Sequence, residues 1–143
     1  MKKVLVAVLV VVVLIQFIRP TKNNSKIEVN SITTVMDVPM EVQEILKTSC
    51  NDCHSNNTEY PWYSEVAPVS WYLASHVNEG KEHLNFSEWA KYNEDQKNHI
   101  INDIEEELTD KKMPLKSYLI IHENAEMTDN QYKILLNWVK TIK

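Results

Sequence analysis

Asp37-Val38-Pro39-Met40-Glu41-Val42-Gln43-Glu44-Ile45-Leu46-Lys47-Thr48-Ser49-Cys50-Asn51-Asp52-Cys53-His54 is the stretch on which the fold turns. Asp37 as a cap and Pro39 in the first turn predict a helix start. Val42, Ile45 and Leu46 then supply one apolar face, and the helix runs directly into Cys50. Outward from this stretch the same period continues. A proline-punctuated loop, residues 56–68, leads to a second helix over roughly 69–79, with Leu73 and Val77 on one face and Gly80 as its stop. Ser87 is the expected N-cap of a third helical stretch, along which Ile100, Ile104 and Leu108 recur every four residues. After a break at 109–114 comes a short helix near 117–123. A last helix follows, opened by a Thr128/Gln131 capping box, with Tyr132, Leu135, Leu136, Trp138 and Val139 on its apolar side. No segment alternates polar and apolar residues long enough for a strand. The expected fold class is all-α.

The chain has 143 residues, a formal net charge of −5, one glycine and two cysteines. This length suits one compact domain. A single glycine argues against a glycine-looped nucleotide fold or a large β-sandwich, which need glycine at tight turns and close backbone approaches. With 43% hydrophobic and 24% charged residues the composition is globular. Nucleic acid is disfavoured as a partner by the acidic balance and because Arg19 is the only arginine.

Residues 1–20 read as an address. Lys2 and Lys3 precede an apolar run from Val4 to Ile15, extended by Phe17 and Ile18 and closed by Arg19 and Pro20. A cleaved signal peptide needs small residues after the run, and none stand there. An uncleaved signal anchor, residues 4–18, fits better, although the run is short of the ~20 residues that span a bilayer. Either way the lysines stay cytoplasmic and the rest is exported to the periplasmic side. Residues 21–38, rich in Asn, Ser and Thr, are expected to be a polar tether. The folded domain is then residues 39–143.

Both cysteines lie in C-x-x-C-H, residues 50–54, the attachment signature of c-type haem. Two thiols three residues apart at a helix end can add to the two vinyl groups of one porphyrin, leaving His54 as proximal iron ligand. A thioredoxin-like redox pair would sit in a βαβ context, which is missing. Zinc would need further ligands, and a disulfide here would close too small a loop to stabilise much. Met113, followed by Pro114, looks like the distal-ligand loop of small monohaem cytochromes c, since proline keeps the thioether out of a helix. His76 is the alternative distal ligand, and His122 is a partly buried histidine. No arginine is at hand for the haem propionates, so Trp62, Tyr63, Trp71 and Lys116 are candidate partners for them.

Residues 50–63, Ala67-Pro68-Val69-Ser70-Trp71, His76-Val77-Asn78-Glu79-Gly80, Leu84-Asn85-Phe86-Ser87-Glu88-Trp89 and Lys112-Met113-Pro114 together resemble the small bacterial haem-binding domain proteins that are similar to cytochromes c. The likeness covers about residues 40–143. It implies one covalent haem c, a cytochrome c-like helical domain, an exported or membrane-tethered location and a redox role. By position, Cys50 and Cys53 would be the thioether sites, His54 the proximal ligand and Met113 the distal one. His76 falls in the family's His-Val-x-Glu-Gly segment. The function expected is one-electron transfer through a six-coordinate haem, exchanged with redox partner proteins, with the membrane reached through the N-terminal segment. The alternative is a haem peroxidase or a ligand-sensing module with a displaceable distal ligand. A peroxidase lacks the usual distal arginine.

Overall fold

A computed structural model describes residues 1–143. The chain is helical throughout, with eight α-helices and three 3₁₀ turns. The helices are α1 Lys2–Ile15, α2 Ile32–Val35, α3 Met40–Ser49, α4 Asn51–His54, α5 Val69–His83, α6 Glu94–Thr109, α7 Lys116–Leu119 and α8 Asp129–Thr141. The only extended pairing is one isolated bridge between Asn24 and Asn57. Helices α3, α6 and α8 enclose the core, to which they give Val42, Ile45, Leu46, Ile100, Ile101, Leu108, Leu135, Trp138 and Val139. In α3 and α8 these are the i, i+3, i+4 positions of the apolar stripe, and in α6 they are the ends of the Ile100/Ile104/Leu108 stripe with Ile101 beside it. Ile104, the middle member of the α6 series, is partly buried against this core.

Helix α8 starts as expected, because Thr128 Oγ1 accepts from Gln131 N while the Gln131 side chain accepts from Thr128 N. Three other boundaries differ. Helix α3 begins at Met40 with Pro39 as its N-cap, and Asp37 makes no capping bond. Ser87 does not open a long helix. Asn85 caps a 3₁₀ turn, Phe86–Lys91, by accepting from Ser87 N, and α6 then starts afresh behind an Asn93/Gln96 capping box. Gly80 does not stop α5, which continues three residues further to His83. Its φ is negative, so no left-handed cap forms there.

Residues 21–38 are not a tether. Ile32 is 1% exposed and belongs to the core with Val38, and Ala90 N donates to Asn30 O. Asn23 donates from Nδ2 to Ser55 O and to Thr58 Oγ1, and its backbone N–H donates to Tyr60 Oη. A polar composition was compatible with a linker, but its carbonyls and amides meet the loop that follows His54 and are satisfied there. The leader departs from expectation as well. Helix α1 is 14 residues long, and no helix of the chain is long and apolar enough to cross a membrane.

Candidate functional site

Helix α3 ends at Cys50, whose backbone N–H still donates to Leu46 O, and α4 carries the rest of the motif. The chain turns here because Cys50 adopts φ −127°, ψ −42° between the two helices. The motif is braced by bonds to two of its carbonyls and to the Asp52 side chain. Ser55 Oγ donates to Asn51 O, Thr58 Oγ1 donates to Asp52 O, and Glu59 N donates to Asp52 Oδ1.

Helix α5 packs across α4, and Gly80 makes the crossing possible. A Cβ on residue 80 would lie 2.8 Å from the carbonyl oxygen of Cys53 and 3.1 Å from its Cβ. The only glycine of the chain is therefore a close-approach residue. That approach brings to His54 one carbonyl of α5, that of Gly80, and the carbonyl of Leu84 just past its end. Nδ1 of His54 lies 2.9 Å from Gly80 O and 3.1 Å from Leu84 O. Carbonyl oxygens only accept, so Nδ1 carries the proton and Nε2 keeps its lone pair. Nε2 makes no hydrogen bond within the chain, which leaves it oriented as a ligand by the kind of partner that metal-bound histidines use. Burial holds the His54 pKa below its usual 6.5, so the ring is neutral near pH 7.

Cys50 and Cys53 are not joined in a disulfide. Burial pushes the Cys50 thiol up to about 12, with the Cys53 charge adding to it. It pushes Cys53 up to about 11, helped by Asp52. Redox-active C-x-x-C pairs need the opposite shift, toward thiolate, so the environment argues against a disulfide oxidoreductase. No cluster of three or more His, Cys, Asp or Glu residues could hold a bare metal ion.

The segment containing Met113 lies against the motif. Tyr118 Oη donates to Asp52 Oδ2 at 2.6 Å, and burial followed by that bond raises the Tyr118 pKa. Tyr132 Oη donates to Met113 O at 2.9 Å, and Tyr132 and Cys50 both pack against the hydrophobic core. Met113 is half-buried, with its backbone carbonyl held by Tyr132. His76 is elsewhere. It is on α5, one turn before Gly80, so it stands on the helix that His54 Nδ1 faces, and its own Nδ1 bonds Tyr72 O. His122 is stacked on Tyr118 with ring centroids 4.0 Å apart. Its Nδ1 donates to Tyr118 O and its Nε2 accepts from Tyr63 Oη at 2.8 Å.

The aromatic candidates divide. Trp71 Nε1 donates to Ile18 O and Tyr63 Oη donates to His122, so both polar tips are engaged. Trp62 is 81% exposed and its Nε1 is unbonded. Lys116 lies exposed on α7. Sequence reasoning missed Asp52, Tyr118 and Tyr132 as supports of the motif. It found Gly80 but assigned it the wrong task. Being the only glycine was the available signal; the tyrosines gave none. Two cavities, of about 250 and 400 Å³, are lined by neither cysteine and not by His54.

Two neutral thiols and a histidine with a free Nε2, all within five residues of a helical domain, have the donor chemistry that covalent haem attachment would use. A helical haem-binding protein is the class that this fold and site define. A family model described as "Haem-binding domain" matches residues 10–141, nearly the whole chain, and the protein belongs to that family. Comparison with curated proteins and with solved structures gave no match.

Proposed function

We propose that the protein is an exported monohaem c-type cytochrome that carries one electron. Cys50 and Cys53 form the two thioethers, each S–H adding across a vinyl group with no net oxidation. His54 Nε2 is the proximal ligand and Met113 Sδ the distal one. A haem held in this way supplies a single iron that alternates between ferric and ferrous. The chain's own contribution is orientation. Gly80 O and Leu84 O fix the His54 ring, Asp52 and Tyr118 hold the following loop on the motif, and Tyr132 holds the Met113 backbone.

The observation that carries this reading is the pairing of His54 Nδ1 with the Gly80 and Leu84 carbonyls beside two protonated, unpaired thiols. It also favours Met113 over His76. His76 stands on α5, whose Gly80 carbonyl holds His54 Nδ1, and its own Nδ1 is bonded to Tyr72 O, so it would be the less suited second ligand. His122 is less suited, since its Nε2 already accepts from Tyr63. A peroxidase reading gains no support, because Arg19 is ion-paired with Glu65. The test is the spectrum of the matured protein, oxidised and reduced. A low-spin haem with a sulfur-to-iron far-red band that Met113→Ala removes supports the ligation. A low-spin spectrum without that band returns His76 as ligand. A high-spin spectrum with rapid carbon monoxide binding replaces the carrier by a ligand-binding or catalytic haem.

A further inference from the structure

Helix α1 is apolar around its whole circumference and buries no residue against the domain. At 1.5 Å per residue its 14 residues span about 21 Å, against a hydrocarbon core of about 30 Å. The residues just after it, however, are locked to the domain. Gln16 exchanges two hydrogen bonds with the backbone of Ala67, Nε2 to O at 3.1 Å and Ala67 N to Oε1 at 2.9 Å. Trp71 Nε1 donates to Ile18 O at 2.7 Å, and Arg19 and Lys22 both pair with Glu65. Lys22 also lies over the Tyr60 ring. Residues 16–22, which follow the apolar helix, therefore meet the domain over residues 60–71, around the turn from Trp62 to Val69.

That turn is itself apolar and open. Val66 and Val69 flank the Ala67 to which Gln16 is bonded, and both are exposed. In the 3₁₀ turn Trp62–Glu65, residues three apart eclipse one another, so Trp62 shares the face of Glu65 and hence of Arg19 and Lys22. Phe17 and Ile18, which lead into the Arg19 paired with Glu65, are exposed as well. Trp62 at the edge of an apolar patch has the chemistry of a headgroup-level anchor. Two cations sharing one carboxylate leave a positive balance suited to anionic phospholipid.

We infer that Phe17, Ile18, Trp62, Val66 and Val69 form a lipid-docking face that seats the domain directly on the bilayer surface. This rests on the proposed export of the chain to a membrane. Lipid contact begun by the short helix continues onto the domain. The leader is a rigid neck rather than a leash, so the domain has a fixed height and orientation.

The test places the photo-crosslinker benzoylphenylalanine at position 62, at position 66 and, as a control, at position 102 on α6. Each full-length, haem-matured protein is mixed with phosphatidylcholine/phosphatidylglycerol vesicles, floated, irradiated and weighed intact. The expected result is a chain plus one phospholipid from positions 62 and 66 and no adduct from 102. Floating chains without lipid adducts at 62 and 66, or with chain-to-chain adducts there, overturn the docking face alone. Chains that fail to float overturn it together with the membrane reading. The haem increment in the same mass spectra reports independently on the cofactor.

Discussion

His54 Nδ1 and the carbonyl oxygen of Gly80 lie 2.9 Å apart, at the point where Gly80 passes so close to Cys53 that no side chain fits. One backbone position therefore does two things. It lets α5 cross the cysteine motif, and it orients the imidazole that follows.

Gly80→Ala separates this account from one in which Gly80 is an ordinary interior residue of α5. Ala is the best helix former, so a purely local view expects a neutral or stabilising change. A Cβ 2.8 Å from Cys53 O must instead push α5 away from α4. The expected cost is about 1–3 kcal/mol in urea unfolding. A lower yield of covalent haem should accompany it. Equal stability and equal yield contradict the crossing.

Ile32→Ala tests whether residues 21–38 are part of the folded domain. Ile32 is 1% exposed. Its truncation should cost about 2–5 kcal/mol, as for other buried aliphatics. A free tether predicts no change in the urea midpoint.

The thiols of the haem-free chain should alkylate slowly. With Cys53 raised from 9.0 to about 11, its thiolate fraction near neutral pH falls about a hundredfold, and Cys50 is suppressed further. Iodoacetamide labelling followed by mass should show this, with urea restoring the ordinary rate. Fast labelling of the folded chain would mean that the motif is not packed as described.

Stability of the haem-free domain should fall in acid. The His54 pKa is lowered, chiefly by burial, so below about 6.5 the unfolded chain binds a proton that the folded chain refuses. This contribution is fully present above 6.5 and is lost as pH falls from there through the folded value. Urea midpoints at pH 7.5 and 5.5 measure it, and His54→Gln should flatten the difference. An unchanged slope in that variant assigns the pH dependence to other groups.

Much of this was legible in the sequence where the cause is local. The Thr128/Gln131 box, the stripes of α3, α6 and α8, the helical class and the C-x-x-C-H motif each follow from residues within a few positions of one another. What the pattern could not show depends on contact between distant segments. Gly80 looks like a helix stop until Cys53 is placed against it. Ile32 is one apolar residue among polar ones, and only the groove that receives it makes it core. Asn23, Tyr118 and Tyr132 act through bonds to Ser55, Asp52 and Met113, which lie 19 to 66 positions away and leave no periodic trace. The leader misled in another way. Its composition reads as an anchor, yet its helix is too short to cross a membrane and its end is bonded to the domain.

The most direct test of the central claim is the intact mass of the matured chain under denaturing conditions, measured beside Cys50→Ser and Cys53→Ser. The account predicts one haem increment that survives denaturation in the native sequence and is lost when both cysteines are replaced. A chain of unmodified mass, with its haem freely extracted by acid and organic solvent, would contradict covalent attachment at Cys50 and Cys53.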